Sequence, residues 1–418
     1  MDKIPNIRHL RVFREVAELH SVSAAAEREF LSQPAVTQAI GKLEADFGVS
    51  LLDRRSDGLF TTEIGELFLR RVGPALEHLR VGAREATRQS LGKGGRGFPN
   101  FDRLVTAAQL RALVAVVDAA SFSMAARSVG ISQPSIHRAT RNLERLSGLR
   151  LFEATHEGIS PTPAAQVLAQ HVKLALSEIR QGFDEINEFL GDRSGVITIG
   201  TLPLARTFIL PTAIDATVKA TRRVQIRVVD GPYNELLRGL RYGDLDCIIG
   251  ALRTPQPADD IVQEPLFNAP LVIVAGRHHP LAKQRNVSLG ETLSYPWVAP
   301  PRTTPAGMYL FNTLAVQDLE ESPVRVVSSS LVLIRGLLQA GNYLTIITPQ
   351  QVRHEFAEGI LVPIDIDLAE ATRPIGLTYR RDWRPTRTQT LFMDELRSAS
   401  RIAAASMLPD DGSYSKNQ

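Results

Sequence analysis

The chain has 418 residues, of which 44% are hydrophobic and 22% are charged, and its formal net charge at pH 7 is +3. This length predicts about two to four domains, whereas the single cysteine, Cys247, excludes an internal disulfide and a multi-cysteine metal site. No apolar run is long enough to cross a membrane and the first residues contain no apolar signal core, so we expect a cytoplasmic protein.

Two stretches in the first half of the chain match each other at a constant offset. "LSQPAVTQAIGKLEADFGVSLL" begins at position 31 and "ISQPSIHRATRNLERLSGLRLF" begins at position 131, so the offset is 131 − 31 = 100. Identical pairs run from Leu10 and Leu110 to Thr62 and Thr162 without a gap. A constant offset over about sixty positions indicates a duplicated structural unit.

Each copy predicts three helices followed by two short strands. Apolar residues recur at helical spacing in the first helix, and an alanine-rich helix follows. Ser32 and Ser132 are expected N-caps of the third helix, with Pro34 and Pro134 in its first turn. "VSLLDRRSDGLFTT" and "LRLFEATHEGISPT" then predict a wing around a Gly turn. This order is typical of a winged helix-turn-helix, which places its second motif helix in the DNA major groove.

These residues resemble the N-terminal signature of the LysR-type transcriptional regulators. The resemblance runs through "SAAA" and "LSQPAVTQAIGKLEADFGVSLLDR" in the first copy and through "SMAARSVGISQPSIHRATRNLERLSGLRLF" in the second. The usual family member has one such domain, so the second copy is a departure. The resemblance implies a regulator that binds double-stranded DNA and a small-molecule effector, and that assembles as a homodimer or homotetramer.

The two copies predict different surfaces on the third helix. The residues opposite its apolar stripe are uncharged in the first copy, whereas in the second copy they are Arg138, Arg141 and Arg145. Arginine can bond guanine edges or phosphates. The wings differ in the opposite sense, because Arg54 and Arg55 of the first copy are replaced by uncharged residues in the second. Each copy therefore keeps part of the surface expected for DNA binding.

The candidate DNA-binding residues are the polar and basic positions of the third helix and the wing. They are Gln33, Pro34, Thr37, Gln38, Lys42, Arg54, Arg55, Gln133, Pro134, His137, Arg138, Arg141 and Arg145. Two other interpretations stay open: one copy is a degenerate spacer, or the arginine face is an ordinary solvated helix surface.

A long helical pattern follows each wing. An apolar stripe at 162–191 begins after the expected N-cap Thr162, and the corresponding stripe at 62–90 contains Pro74, which predicts a kink. A stripe of this length needs a partner, and the resemblance implies a dimerising linker helix. Pairing within one chain and pairing between chains are equally compatible with the sequence. "LGKGGRGFPN" at 91–100 predicts a flexible joint.

The second half of the chain alternates strand-like runs with helical ones from Ser194 onward. This alternation predicts an α/β domain with mainly parallel strands. "HHPLAKQRNVSLGETLSYPWV" and "LIRGLLQAGNYLTIITPQQV" resemble the effector-binding region of the same family, which implies two lobes around a cleft, as in periplasmic binding proteins. We expect the chain to cross between lobes near Val272–Arg277 and to return near Arg373–Leu377.

The expected boundaries follow from these patterns. They are 1–61 for the first winged domain, 62–101 for its linker helix and joint, 102–161 for the second winged domain, 162–193 for its linker helix, 194–408 for the effector-binding domain (lobe one 194–272 and 376–407, lobe two 273–375) and 409–418 for a disordered tail.

Ligands of such sheets bind beyond the carboxyl ends of the strands, where helix N-termini converge. The candidate effector-binding residues at these ends are Thr201, Leu202, Pro203, Arg253, Arg302, Thr303, Thr304, Ser328, Ser329, Ser330 and Thr348. Simple helix capping is the alternative for each Ser and Thr. A small organic acid is the expected effector, with a neutral sugar as the alternative. His278 and His279 have no third ligand at suitable spacing, so no metal or other cofactor is expected.

Two rival functions use the same second half. An enzyme is disfavoured because the sequence contains no G-x-S-x-G elbow, no Walker loop and no H-E-x-x-H motif. A solute-binding protein, with the winged domains serving protein interaction, suits the lobes but not the two winged domains. We therefore expect a DNA-binding regulator that is not an enzyme.

Overall fold

The protein is described by a computed structural model that covers residues 4–91, 98, 100–156, 158–192, 194–221, 223–316, 323–369 and 371–405. Most of the joint expected at 91–100, and the whole tail expected at 409–418, lie outside the described residues. The chain divides into two compact units, one formed by Met1–Gly195 with Arg241–Asp244 and the other by Val196–Leu240 with Leu245–Gln418. Among the described helices, none combines the length and apolar character that a membrane crossing needs.

The first unit contains both predicted winged domains. The first comprises α1 (Ile7–Leu19), α2 (Val22–Arg28), α3 (Gln33–Phe47), β1 (Leu52–Arg55), β2 (Gly58–Thr61) and the long helix α4 (Glu63–Leu91). The second comprises α5 (Ala107–Ala119), α6 (Phe122–Val129), α7 (Gln133–Ser147), β3 (Phe152–Thr155), β4 (Gly158–Pro161) and the long helix α8 (Pro163–Phe189). Each pair of strands is antiparallel, which gives the expected wing.

In both copies a partly buried glutamate of the third helix holds the wing against that helix. Glu44 accepts hydrogen bonds from the backbone N–H groups of Leu51 at 2.8 Å and of the next residue at 3.2 Å. Glu144 accepts the equivalent bonds from Leu151 at 2.9 Å and the next residue at 3.2 Å. Because these donors lie at the start of the first wing strand, the same side chain sets the angle of the wing in each copy.

The linker helices α4 and α8 pack against each other within the chain. Position 82 of α4 lies against His171, and position 182 of α8 lies against Phe68, so the two helices run antiparallel. The predicted cap is present, since Thr162 accepts from the N–H of Ala165 at 3.2 Å. The helix α4 continues through Pro74, because the packed apolar face outweighs the one backbone hydrogen bond that proline cannot make. The kink expected at Pro74 stays a prediction.

The second unit contains two five-stranded sheets. Its strands are β5 (Val196–Thr201), β6 (Gln225–Asp230), β7 (Cys247–Ala251), β8 (Ile261–Pro270), β9 (Val272–Gly276), β10 (Trp297–Ala299), β11 (Val324–Val327), β12 (Leu344–Ile347), β13 (Leu361–Pro363) and β14 (Thr372–Arg380). Its helices are α9 (Ile209–Ala220), α10 (Tyr233–Arg241), α11 (Leu289–Thr292), α12 (Pro305–Met308), α13 (Leu331–Ala340), α14 (Arg353–Ala357) and α15 (Arg387–Ala405).

The sheets are more mixed than the sequence predicted. The first has the order β6-β5-β7-β14-β8 and the second β11-β10-β12-β9-β13. Each contains two parallel and two antiparallel strand pairings, so the expectation of mainly parallel strands was wrong. The antiparallel pairings arise where the chain passes directly from one sheet to the other instead of returning through a helix.

The two passages between the sheets lie a few residues before the expected positions. The outward passage is Leu271, between β8 of the first sheet and β9 of the second, so Val272 already belongs to the second sheet. The return ends at Thr372, so Arg373 already belongs to the first sheet. The passages lie side by side, because the N–H of Leu271 donates to the carbonyl of Ala371 at 2.6 Å.

The close approach of α4 and α8 makes a stability prediction. A Cβ atom at Gly82 would lie 2.6 Å from the Cβ of His171, whereas a Cβ at Gly73 of the same helix meets nothing within 4 Å. Gly82→Ala should therefore lower the free energy of unfolding by about 1–3 kcal/mol through overpacking. The matched control Gly73→Ala should be neutral or raise it by up to about 1 kcal/mol. Urea denaturation of both variants measures this, and equal effects would contradict the close packing.

Candidate functional site

The exposed face of α7 carries a cluster of basic and polar side chains. These side chains form a shallow surface whose members are Gln133, Pro134, His137, Arg138, Arg141, Asn142 and Arg145. Ile136 and Leu143 are buried on the opposite face, so the packing of the helix in its domain directs this cluster outward.

The three arginines of this surface differ in how they are held. Arg141 forms an ion pair with Glu144 at 3.1 Å, and Arg145 donates to Asn142 at 3.4 Å. Arg138 has no ion-pair partner in the described part of the chain. All three are exposed, so their guanidinium groups can exchange these partners for phosphates or base edges.

The corresponding surface of the first copy is polar on the helix and basic on the wing. Its predicted helix residues are all exposed, namely Gln33, Pro34, Thr37, Gln38 and Lys42. Arg54 and Arg55 extend from β1 into solvent, and the guanidinium of Arg55 lies 4.8 Å from the centre of the Phe60 ring. The structure therefore places every predicted DNA-binding residue on an exposed face of a winged domain.

A pocket lies between the two sheets of the second unit. Its walls are formed by Leu202, Pro203, Leu204, Ala251, Arg253, Pro300, Pro301, Thr304, Pro305, Ala306, Ser328, Ser329, Ile334, Ile346, Ile347, Gln351 and Arg373. The volume enclosed between these walls is about 80 Å³, and the pocket opens to solvent.

Some of the predicted effector residues line this pocket and others do not. Those that line it are Leu202, Pro203, Arg253, Thr304, Ser328 and Ser329. Those outside its lining are Thr201, Arg302, Thr303, Ser330 and Thr348.

Local structure explains why these residues are elsewhere. Arg302 was expected to add charge to the site, but its guanidinium lies over the Phe311 ring at 4.6 Å from the ring centre. Thr348 is fully buried and bonds Gln351 in a capping box, and Ser330 caps α13. The alternative of simple helix capping is therefore the better description for these two hydroxyl residues. His279 is likewise a cap, because it accepts from the N–H of Leu281 at 3.1 Å.

Two arginines provide the charge of the pocket. Arg253, which follows β7, lies over the Tyr233 ring at 4.2 Å from the ring centre, and its buried Nη1 atom has no hydrogen-bond partner within the described part of the chain. Arg373 on β14 has a buried Nε atom for which the described residues likewise provide no partner. Neither guanidinium forms an ion pair with a carboxylate among the described residues. Both groups therefore retain N–H donors that can bond to a ligand.

The surroundings of both arginines disfavour the charged form. Burial lowers the pKa of Arg253. Burial, together with the positive charge of Arg253, lowers the pKa of Arg373 to about 10. Both groups remain protonated at neutral pH, so the pocket contains positive charge that an anion would stabilise.

Sequence reasoning missed Arg373 and Gln351. Gln351 could have been found, because its spacing from Thr348 is that of a capping box, which places it at the end of β12. Arg373 had no comparable signal. It reaches the pocket because β14 pairs with both β7 and β8, and this long-range pairing is not visible in one sequence.

Comparison with known proteins agrees with the arrangement of both units. Residues 190–401 match the family described as LysR substrate binding domain. Residues 7–66 and 107–166 each match the family described as bacterial regulatory helix-turn-helix protein, lysR family. Both copies of the repeat are therefore recognised separately.

Similar proteins carry the same description. The chain is 35% identical over 381 residues to the HTH-type transcriptional regulator GalR of Pseudomonas putida, which covers 90% of this chain and 93% of that protein. It is 26% identical over 299 residues to PcaQ of Agrobacterium fabrum, which covers 72% of this chain and 96% of that one. The fold is similar to that of full-length OxyR from Pseudomonas aeruginosa, with a TM-score of 0.51, 20% identity, and coverage of 70% of this chain and 95% of that one.

The family matches extend over both winged domains and over the two-sheet unit that contains the pocket. Together with the relative that is similar along nine-tenths of the chain, they show that this chain belongs to the LysR family of transcriptional regulators.

Proposed function

We propose that both winged domains of this regulator contact DNA and that its effector is an organic anion bound by Arg253 and Arg373. As a member of its family, the chain is a DNA-binding transcriptional regulator controlled by a small-molecule effector, not an enzyme. Its place of action is then the cytoplasm, where the DNA is. The observation that carries the effector proposal is the pair of partly buried guanidinium groups that have no carboxylate partner among the described residues.

The two winged domains suit different parts of a DNA site. The α7 surface presents three arginines, which can bond guanine edges and phosphates. The α3 surface presents Gln38 and Lys42 beside a wing with two arginines. Glutamine is suited to adenine edges, and wing arginines are suited to the minor groove or the phosphates. We infer that the first copy is a second DNA-binding domain and not a spacer.

The two-domain proposal predicts that each recognition helix contributes to binding. Gln38→Ala and Arg138→Ala should each reduce affinity for the operator roughly fivefold or more and alter base preference at different positions, because a lost base contact typically costs about 1–3 kcal/mol. Footprinting and base-preference profiling measure this. If Gln38→Ala leaves affinity, footprint and preference unchanged while Arg138→Ala abolishes binding, the first copy is a scaffold.

The arginine surface predicts the salt dependence of DNA binding. Loss of one phosphate contact in Arg141→Ala should make the log–log plot of affinity against salt shallower by about one unit. Asn142→Ala, an uncharged change on the same surface, should leave the slope as it is. Fluorescence anisotropy at several salt concentrations measures both variants. An unchanged slope in Arg141→Ala would remove this residue from the phosphate contacts.

The pocket favours an acid with an apolar body over a sugar. Its walls are mainly proline, leucine and isoleucine side chains, which suit an apolar group. Arg253 and Arg373 suit a carboxylate, because guanidinium groups bond carboxylates through paired N–H donors. Neutral hydrogen-bonding groups come from Ser328, Ser329 and Thr304. A sugar could use the hydroxyls but would leave the two buried charges uncompensated.

Effector binding is proposed to act by shifting a conformational equilibrium. Residues from both sheets line the pocket, so a ligand that touches both would stabilise one arrangement of the lobes. The shift of the equilibrium is limited by the difference in ligand affinity between the two arrangements. DNA binding without effector would then not require the pocket residues.

The pocket arginines predict a separation of effector response from DNA binding. Arg253→Ala and Arg373→Ala should each weaken acid binding roughly tenfold or more, because hydrogen bonds to charged groups contribute about 1.5–3 kcal/mol. Arg302→Ala is the matched control, since Arg302 lies outside the pocket lining. Calorimetry with a panel of organic acids and sugars identifies the strongest binder, and footprinting with that binder measures the response.

Ligand-free DNA binding should be nearly unchanged in all three variants. The proposal fails if the strongest binder is a neutral sugar, or if an acid binds Arg373→Ala as tightly as the parent and still alters the footprint.

A further inference from the structure

Two polar contacts between α4 and α8 involve equivalent positions of the repeat. Arg71 in α4 bonds Glu185 in α8, with Nε and Oε2 at 3.0 Å. One hundred positions later, His171 in α8 lies 3.2 Å from Glu85 in α4, measured from Nε2 to Oε2. Exchange of the two copies therefore converts one contact into the other.

The close contacts of the two helices repeat in the same manner. Gly82 lies against His171, where an added Cβ would be 2.6 Å from the histidine Cβ. Gly182, its equivalent, lies against Arg71, where an added Cβ would be 3.2 Å from the arginine Cβ. A contact from position i to position j that is matched by a contact from j to i is the mark of a two-fold interface.

A third pair of contacts obeys the same exchange but shows how the copies differ. Arg71 bonds Glu178 at 3.1 Å, and the equivalent of this contact is the approach of the His171 and His78 rings, whose centres lie 5.8 Å apart. Arg71 also bonds Gln181 at 2.8 Å. The backbone arrangement is therefore nearly two-fold symmetric, whereas the chemistry of the two halves is not.

This chemistry favours the pairing of α4 with α8 over the pairing of like helices. Two α4 helices in the same register would place Arg71 beside His78 in the position of Glu178 and beside Val81 in the position of Gln181, while Glu85 would take the position of Glu185. Arg71 would then keep one of its three partners and lose the other two. Two α8 helices would place Glu178, Gln181 and Glu185, of which the first two are buried, opposite His171 and would remove the arginine. A buried charge that loses hydrogen-bonding partners is unfavourable, so these contacts favour the unlike pair.

The first winged domain is fixed to the linker helix of the second copy. Phe47, at the end of α3, packs against Phe183 of α8 with ring centres 4.4 Å apart, and against Phe68 of α4 at 4.6 Å. Arg11 of α1 donates to the backbone carbonyls of Asp102 and Arg103, just before the second winged domain. These contacts hold the two winged domains in one defined arrangement.

We propose that the two winged domains of a single chain act as a complete, inverted pair of DNA-binding heads, and that this pair binds an operator whose two half-sites differ in sequence. The proposal rests on the proposed function, because it requires both winged domains to contact DNA. A two-fold arrangement places the heads on half-sites of opposite orientation. Since α3 and α7 present different side chains, the two half-sites of one operator are unequal. Any further chain in the assembly adds a second pair of heads.

A cross-link tests the pairing without DNA. The full chain carries Glu85→Cys and His171→Cys, and Cys247 is buried away from reagents. Equal amounts of ¹⁵N-labelled and unlabelled protein are mixed, refolded together and treated with a short bis-maleimide. The expected cross-linked peptides join 85 to 171 with both halves labelled or both unlabelled. The single-cysteine variants and the pair Gly73→Cys with His171→Cys are controls.

Peptides that combine a labelled and an unlabelled half would show pairing between chains and overturn the proposal. Absence of the cross-link, when a monofunctional maleimide labels both sites, would overturn the contact itself.

The second arm uses the natural operator, found by footprinting, and two symmetrised versions that repeat either half-site. Both symmetrised duplexes should bind roughly fivefold or more weakly than the natural one, because each presents one head with wrong base pairs. Equal or tighter binding to a symmetrised duplex would contradict the proposal that the two half-sites are unequal. If Gln38→Ala and replacement of one half-site both have no effect while the cross-link forms within chains, the two-domain DNA proposal fails and the pairing stands.

Discussion

The antiparallel contact between α4 and α8 is the interaction on which the arrangement of the DNA-binding half depends. Its centre is polar as well as apolar: the Arg71 side chain is only 3% exposed and bonds Glu178, Gln181 and Glu185. Loss of one partner from a buried ion pair typically costs about 3–5 kcal/mol, because the remaining charge has no water to solvate it. The cluster therefore does more to choose the partner of α4 than to strengthen the contact. Gly82 and Gly182 allow the two backbones to approach closely enough for these bonds to form.

The proposed effector pocket contains buried charge of a different kind. In the linker helices Arg71 has its acidic partners in the chain, whereas in the pocket Arg253 and Arg373 each have a buried nitrogen with no hydrogen-bond partner among the residues that the structure describes. The lowered pKa of Arg373, about 10, shows that burial and the neighbouring charge of Arg253 oppose protonation. An anionic ligand would relieve both. An ion cluster whose charges are balanced within the protein suits a permanent contact. A pair of positive charges without a negative partner suits a site that an anion enters and leaves.

Local signals in the sequence were sufficient to predict the winged helices and strands, the linker helices and the exposure of the proposed DNA-binding residues. Caps such as Ser32 and Ser132 and the helical stripes act within a few residues, so one sequence displays them. Long-range pairing is not displayed in this manner. The antiparallel strands of both sheets, and with them the arrival of Arg373 in the pocket, depend on which segments meet. The choice between pairing within and between chains likewise depended on contacts between residues about one hundred positions apart, such as Arg71 and Glu185.

Site-directed cleavage of the operator tests most directly whether the two heads of one chain occupy opposite half-sites. An iron chelate that generates hydroxyl radicals is attached at Ser56→Cys in the first wing or at the equivalent position, His156→Cys, in the second. Both positions are exposed, and Cys247 is buried. We expect the first label to cut near one half-site and the second label to cut near the other, with no overlap between the two patterns. Cleavage of both half-sites by either label alone would show that like heads pair on the DNA and would contradict this account.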